Sequence, residues 1–243
     1  MLQSVQRGVL VLELLTASDE PLSARAIAES VGLDRTVTHR ILRTLELEAL
    51  VVEERGRYAL GPRNLVFGNS YVRRHPLRLA GLPYQIDLLY RSYPDQPWAL
   101  TLLMRVGRRL TLVSQIWSPT APLDSLLAVG DVPIDEAASG RCILAFLSPP
   151  EVVGLVGAAR AKALTSRLAL IRSAGGVDVV GPEDRSSQPP GLLAVAALIR
   201  TRSGIPVAGL TMSGNGLEGH LDRQSPLASR LLRTAGQIGE LLV

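Results

Sequence analysis

Along the first seventy positions, apolar residues recur every three or four places. Val5, Val9, Leu12 and Leu15 lie four, three and three apart, which predicts the inward face of an amphipathic helix over residues 5–15. Pro21 and Ser23 break that pattern. Ser23 is an N-cap for a second helix, "ARAIAESV", which Gly32 closes. Asp34 caps a third helix, "RTVTHRILRTLELEA", with Val37, Ile41 and Leu45 as its inward face. Two helices separated by a short Gly-containing turn outline a helix-turn-helix. The period then shifts: Leu50–Val52 and Tyr58–Leu60 are β-prone runs around Glu53–Arg57, a small hairpin or wing. Helix, helix, helix, hairpin is the order of a winged helix-turn-helix, placed at residues 1–62.

Residues 63–75 read as a linker helix from about Arg63 to Arg74, followed by a break and a helix from Leu79 to Tyr93. Further on, "WALTLLMRV" and "LTLVSQIW" are strand-like runs joined by Gly107-Arg108-Arg109. "LDSLLAV" is another candidate strand. "DEAASGRCILAFL" and the segment opened by Pro149-Pro150 are helical. "GVDVVG", "GLLAVAALIRT" and "IPVAGLTMSG" are strands, and the chain closes on a helix. The predicted class is α+β: a winged helix-turn-helix followed by a mixed α/β domain over 76–243.

In a winged helix-turn-helix, the start of the recognition helix enters the major groove. Here it offers Arg35, Thr36, Thr38, His39, Arg40 and Arg43, with Arg55 and Arg57 on the wing. These are guanidinium, hydroxyl and imidazole donors for guanine edges and phosphates. Charge alone does not decide the matter, since residues 1–75 hold ten Arg against nine acids. Their placement does more: Glu46 and Glu48 fall late in the helix, away from its tip, although Glu53 and Glu54 put acid in the wing. Over the whole chain the net charge is +4 and the pI about 9.7, and Lys162 is the sole lysine among 26 basic residues. That balance favours an anionic partner.

The segments "HRILRTLE" (His39–Glu46) and "RYALGPRNLVFG" (Arg57–Gly68) resemble the N-terminal domain of IclR-type bacterial transcription regulators. The likeness is strong over the first 70 residues and weaker to the C-terminus. It implies a GAF-like effector-binding domain, a double-stranded palindromic DNA operator, a small organic effector and a homodimer or homotetramer. The family's loop–helix motif matches "EAASGRCILA", which implies pocket positions Ala138, Ser139 and Gly140. By the same matching, the pocket acid falls at Asp184, a small residue at Ala194, and paired hydroxyls at Thr211 and Ser213. Hydroxyls facing a helix start suit a carboxylate. The chain departs from the pattern at Asp135-Glu136, at Arg141 in place of Lys, in a shortened segment after Ala159, and in "AVAALI", which lacks the usual Pro.

Other chemistry finds little support. Cys142 lies in the apolar stripe "CILAFL" and reads as a small core residue. His39, His75 and His220 are scattered, so no zinc site or catalytic triad is expected. Asp178, Glu183 and Asp184 read as a solvated acidic loop. Gly214, Gly216 and Gly219 spell the spacing of a dinucleotide turn, but they follow the last strand and lead into a polar loop, so no cofactor is expected. No signal peptide or membrane span is expected, and the lone cysteine suits a reducing cytoplasm. The competing reading is a ligand-binding or catalytic protein in which the helical N-terminal domain serves only dimerisation.

Overall fold

In the computed structural model, described here for residues 2–121, 132–184 and 192–243, the chain divides into two compact units, Met1–Arg73 and Arg74–Val243. The candidate strand at "LDSLLAV" lies outside the described residues.

The first unit holds α1 (Gln3–Thr16), α2 (Ala24–Val31), α3 (Arg35–Leu47) and α4 (Arg63–Arg74). The local signals act as expected. The Ser23 hydroxyl accepts from the Ala26 N–H at 3.2 Å. Gly32 takes the left-handed conformation that closes α2. The Asp34 carboxylate accepts from the Thr36 and Val37 N–H groups at 2.7 and 3.4 Å. Three strands, β1 (Leu22–Ser23), β2 (Val51–Glu54) and β3 (Arg57–Leu60), form an antiparallel sheet with β3 central. The β2–β3 hairpin turns on Arg55 and Gly56, both at positive φ, which matches the twist of a two-residue hairpin.

Two phases differ from the sequence reading. On α1, Leu15 is buried and Leu12 packs on the core as expected, but Val11 joins them, while Val5 and Val9 are exposed. On α3, Thr38 and Leu42 are the buried pair, and Val37, Ile41 and Leu45 are half-buried beside them. Thr38 tolerates the core because its hydroxyl donates to the Asp34 carbonyl at 3.0 Å.

In the second unit, α5 (Pro76–Ile86) starts at its proline rather than at Leu79, with His75 as N-cap. A proline at the first helical position has no N–H to lose. A π-helical turn, Asp87–Arg91, follows. Among the described residues six antiparallel strands come next: β4 (Trp98–Val106), β5 (Arg109–Trp117), β6 (Val132–Pro133), β7 (Val177–Val180), β8 (Leu193–Arg200) and β9 (Pro206–Gly214). They align in the order β6-β5-β4-β9-β8-β7. Between β6 and β7 run α6 (Ala138–Leu144), α7 (Pro149–Val156) and α8 (Ala158–Ser173), and α9 (Pro226–Gly239) ends the chain. Gly157, at positive φ, splits the predicted long helical stretch into α7 and α8.

The sheet is covered on both sides. On one, Leu100, Leu102, Val195, Leu210 and Met212 pack with Leu77 of α5 and Leu231 and Ile238 of α9. On the other, Ala194, Ala196 and Leu198 pack with Ala138, Cys142 and Ile143 of α6 and Leu168 and Ile171 of α8. Gln85 is fully buried; its Nε2 donates to the Leu100 carbonyl at 3.1 Å, and its Oε1 accepts from Ser114 Oγ, tying α5 to β4 and β5. Burial also pushes the Cys142 thiol well up, and Asp178 adds to the effect, so the side chain is an inert core residue.

Candidate functional site

The outer face of α3 presents Arg35, Thr36, His39, Arg40 and Arg43, all exposed. Arg35, His39 and Arg43 are four apart and so share one stripe, with Thr36 and Arg40 beside them. Arg43 pairs with Glu46 at 3.1 Å, a surface ion pair weak enough to yield to a phosphate. Thr38 leaves the predicted set: it is 0% exposed and faces the core. Arg55 stands at the tip of the wing, while the Arg57 guanidinium donates to the Pro21 carbonyl at 3.1 Å, which holds it toward β1. Glu53, the acid expected to oppose anions at the wing, accepts from the Gly56 N–H at 2.7 Å and stabilises the turn.

In the second unit, strand register assembles a polar row on the face covered by α6. Asp178 of β7 lies opposite Ala196 of β8, Ala196 opposite Thr211 of β9, Thr211 opposite Thr101 of β4, and Thr101 opposite Gln115 of β5. One step along the strands, Ala194 pairs with Ser213 and Ser213 with Ala99. Thr101, Thr211 and Ser213 are buried, Ser213 between Ala194 and Ala99. Gln115 Nε2 donates to Thr101 Oγ1 at 3.4 Å. Ser139 is pressed onto this face. A Cβ on Gly209 would come within 2.3 Å of Ser139 Cβ, and one on Gly140 within 1.9 Å of the Ile134 carbonyl oxygen. Both glycines are therefore required by close backbone approach.

Ser139 Oγ and Thr211 Oγ1 are buried and have no hydrogen-bond partner among the described residues. A buried hydroxyl without a partner costs about 1–3 kcal/mol. Two such groups facing the same sheet surface mark a place where a ligand's acceptors or donors would be satisfied. Of the implied residues, Ala194, Thr211 and Ser213 lie on this face and Ser139 meets it at Gly209, while Gly140 packs on Ile134 and Ala138 shares the same turn of α6. Thr101 and Gln115 escaped the sequence reading. The one signal for them was a lone Thr inside the apolar run "WALTLLMRV".

Asp184 does not join the hydroxyls. Its carboxylate meets Arg167 Nη1 at 2.7 Å and Arg141 Nη2 at 3.9 Å. Asp178, expected on a solvated loop, is instead fully buried in β7. It accepts from Arg141 Nε at 2.6 Å, Arg167 Nε at 3.2 Å and Arg223 Nη2 at 3.0 Å. Burial works against the Arg167 charge, but Asp178 and Asp184 outweigh it and raise its pKa. These five side chains form an ion cluster at the β7 edge, two strands and so about 10 Å from Thr211. Asp135 is likewise paired, with Arg160 at 2.6 Å.

Gly214 ends β9 inside an antiparallel pairing with β4 and β8, and a short 3₁₀ turn, Glu218–His220, follows. There is no βαβ unit at these glycines, so they do not form a dinucleotide turn. Among the described residues no group of three or more His, Cys, Asp or Glu could hold a metal, and no helix is long and apolar enough to cross a membrane.

Comparison with known proteins agrees with this architecture. The family model for the IclR helix-turn-helix domain matches residues 4–55. The glycerol operon regulatory protein of Streptomyces griseus is 33% identical over 147 residues, 60% of this chain and 56% of that protein. The chain thus spans little more than half the length of that relative. An HTH-type transcriptional regulator of Mycobacterium tuberculosis is 30% identical over 208 residues, 82% of this chain and 77% of that protein. The crystal structure of an IclR family regulator from Brucella abortus shares the fold with a TM-score of 0.81 at 17% identity, covering 100% of this chain and 94% of that one. An IclR homologue from Microbacterium hydrocarbonoxydans, solved with 4-hydroxybenzoate, matches with a TM-score of 0.66 at 21% identity over 98% of both chains. With a helix-turn-helix unit, a mixed α/β unit and relatives of this extent, the chain belongs to the IclR family of transcriptional regulators.

Proposed function

We propose that the chain is a DNA-binding transcription regulator whose operator affinity is set by a small organic molecule held in the second unit. The observation that carries this reading is the outer face of α3. Arg35, Thr36, His39, Arg40 and Arg43 are exposed together beside an Asp34-capped N-terminus, with Arg55 on the wing. That is the donor set and placement of a major-groove reader. The buried, unpartnered hydroxyls of Ser139 and Thr211 support a polar small-molecule ligand. The 4-hydroxybenzoate bound by one homologue supports an organic acid in that role. Exposed Val5 and Val9 on α1, and Leu65, Phe67 and Tyr71 on α4, support self-association. A symmetric dimer presenting two α3 helices would read a palindrome with half-sites about 34–36 Å apart. The site's role is binding rather than turnover, and the chain works in the reducing cytoplasm, where Cys142 stays a thiol.

The test is gel retardation on the intergenic DNA that flanks the gene for this chain. The wild type shifts the band. The double substitution Arg40→Ala and Arg43→Ala abolishes the shift while far-UV circular dichroism is unchanged. A shift that survives the double substitution contradicts the assignment of α3 as the reading helix.

A further inference from the structure

A cavity lies away from the hydroxyl surface, between the segment after α6, α7 and the length of α8. Its volume is about 740 Å³, within the roughly 300–1,000 Å³ of small-molecule sites. The floor is apolar and buried: Ala145, Val152 and Leu168. Phe146 closes one end, held by the Arg200 guanidinium 3.7 Å above its ring. Val153 stands exposed at the rim. Polar groups appear only along one side, where Lys162, Thr165 and Arg172 line the cavity.

The charged residues that line it, Lys162 and Arg172, are all basic, and Glu151 of α7 is turned to the Ser148 N–H and hydroxyl. Helix α8 carries Arg160, Lys162, Arg167 and Arg172 and no acid. Arg160 is bound to Asp135, and Arg167 to Asp178 and Asp184. Arg172 Nη1 donates to the Ala145 carbonyl at 3.0 Å, which fixes it at the cavity without neutralising it. Lys162 makes no ion pair or hydrogen bond among the described residues. The Thr165 hydroxyl is spent on the Ala161 carbonyl at 3.2 Å. An apolar floor with a free ammonium and a fixed guanidinium at its side is complementary to a molecule with an apolar body and one anionic end.

We propose that this cavity binds an amphipathic carboxylate, its carboxylate on Lys162 with Arg172 nearby and its hydrocarbon tail on Val152 and Leu168. The site stands apart from the operator reading: it uses no residue of α3 and none of the hydroxyl surface.

The test is isothermal titration of the full chain with dodecanoate, below its micellar concentration, beside dodecyltrimethylammonium, which has the same tail and the opposite charge. Dodecanoate saturates at one molecule per chain, and the cation does not bind. Reversing the charge with Lys162→Glu weakens dodecanoate at least about tenfold, the scale of losing a charge-assisted hydrogen bond. Val153→Trp, which fills the rim from an exposed position, removes binding without lowering the melting temperature. Several results would overturn the proposal. One is equal binding of both surfactants, which would mean a tail-only groove. Another is wild-type affinity in both variants. A third is no saturable binding. A fourth is loss of the cavity to self-association, seen as a sedimentation coefficient that Val153→Trp lowers. A fifth is capture on anionic vesicles with no soluble binding, which would make the face a membrane contact.

Discussion

At the scale of single residues, the unpartnered hydroxyl of Thr211 makes a prediction with a definite sign. Thr211→Val keeps the shape and removes a buried group that costs about 1–3 kcal/mol when unsatisfied. The ligand-free variant should melt higher than the wild type, by about 2–4 °C for each kcal/mol recovered in a unit of this size. It should also lose the effect of effector on DNA binding. A lower melting temperature would mean that the hydroxyl is already satisfied. Asp34 gives a pH prediction. The Thr36 and Val37 N–H groups hold its pKa below the ordinary value of about 3.9. The folded pKa is thus lower than the unfolded one, so the stabilisation is full above that ordinary value and is lost as pH falls through the folded pKa. Melting curves in that acid range should fall more steeply for the wild type than for Asp34→Asn, which keeps a cap without a titrating group. Both caps, Ser23 and Asp34, were legible in the sequence, because a cap is a contact between residues two or three apart. Thr38 was not. Its polarity argued for the outer face, and the bond to the Asp34 carbonyl that permits its burial exists only once the helix has formed.

At the scale of elements, β8 and β9 were legible as nearly continuous apolar runs, since a sheet covered on both sides tolerates few polar positions, and β4 and β5 as β-rich runs around a Gly107 turn. The two-residue β1 was not, because only its pairing with β3 makes it a strand. The phases of α1 and α3 slipped by one or two positions. Val5 and Val9 fit a helical stripe but stay exposed along a groove between α1 and α3, and periodicity alone does not say how far along a stripe the core extends. The seating of α6 makes a sharp prediction. Gly140→Ala places a methyl 1.9 Å from a backbone carbonyl oxygen, which cannot give way as a flexible side chain would. The variant should lose at least about 3 kcal/mol, the upper range of overpacking. Gly236→Ala, at an exposed position in α9 with nothing within 4 Å, should instead gain about 0.8–1 kcal/mol of helix propensity. Urea denaturation of the two variants checks both signs; equal effects would mean that α6 does not press on β6 and β9 as described.

At the scale of the whole molecule, the order of two units and the character of each could be read from the sequence. The content of the second unit's site was legible only in part. Ser139, Thr211 and Ser213 came from the family resemblance, whereas the row that joins them to Thr101 and Gln115 depends on register across four strands. The ion cluster was hidden for the same reason. Arg141 and Asp178 are 37 positions apart, and Arg223 reaches Asp178 from 45 positions away. No local pattern marks such a pair. Breaking it is expected to be costly. Asp178→Asn leaves the buried Arg141 with only the more distant Asp184 as counter-charge, and removing one partner of a buried pair typically costs about 3–5 kcal/mol.

The central claim is that α3 holds the phosphates and bases of DNA, and the salt dependence of binding tests it most directly. Fluorescence anisotropy on the flanking intergenic duplex, repeated over a series of salt concentrations, gives the slope of log K against log salt. The account predicts a steep negative slope for the wild type. For Arg40→Ala, the slope becomes shallower by about one if the guanidinium holds a phosphate. If it reads a base instead, affinity for this duplex falls by about 1–3 kcal/mol at an unchanged slope. Binding that ignores salt, or a variant that matches the wild type in both slope and affinity, would contradict it and would leave the N-terminal unit as a dimerisation module.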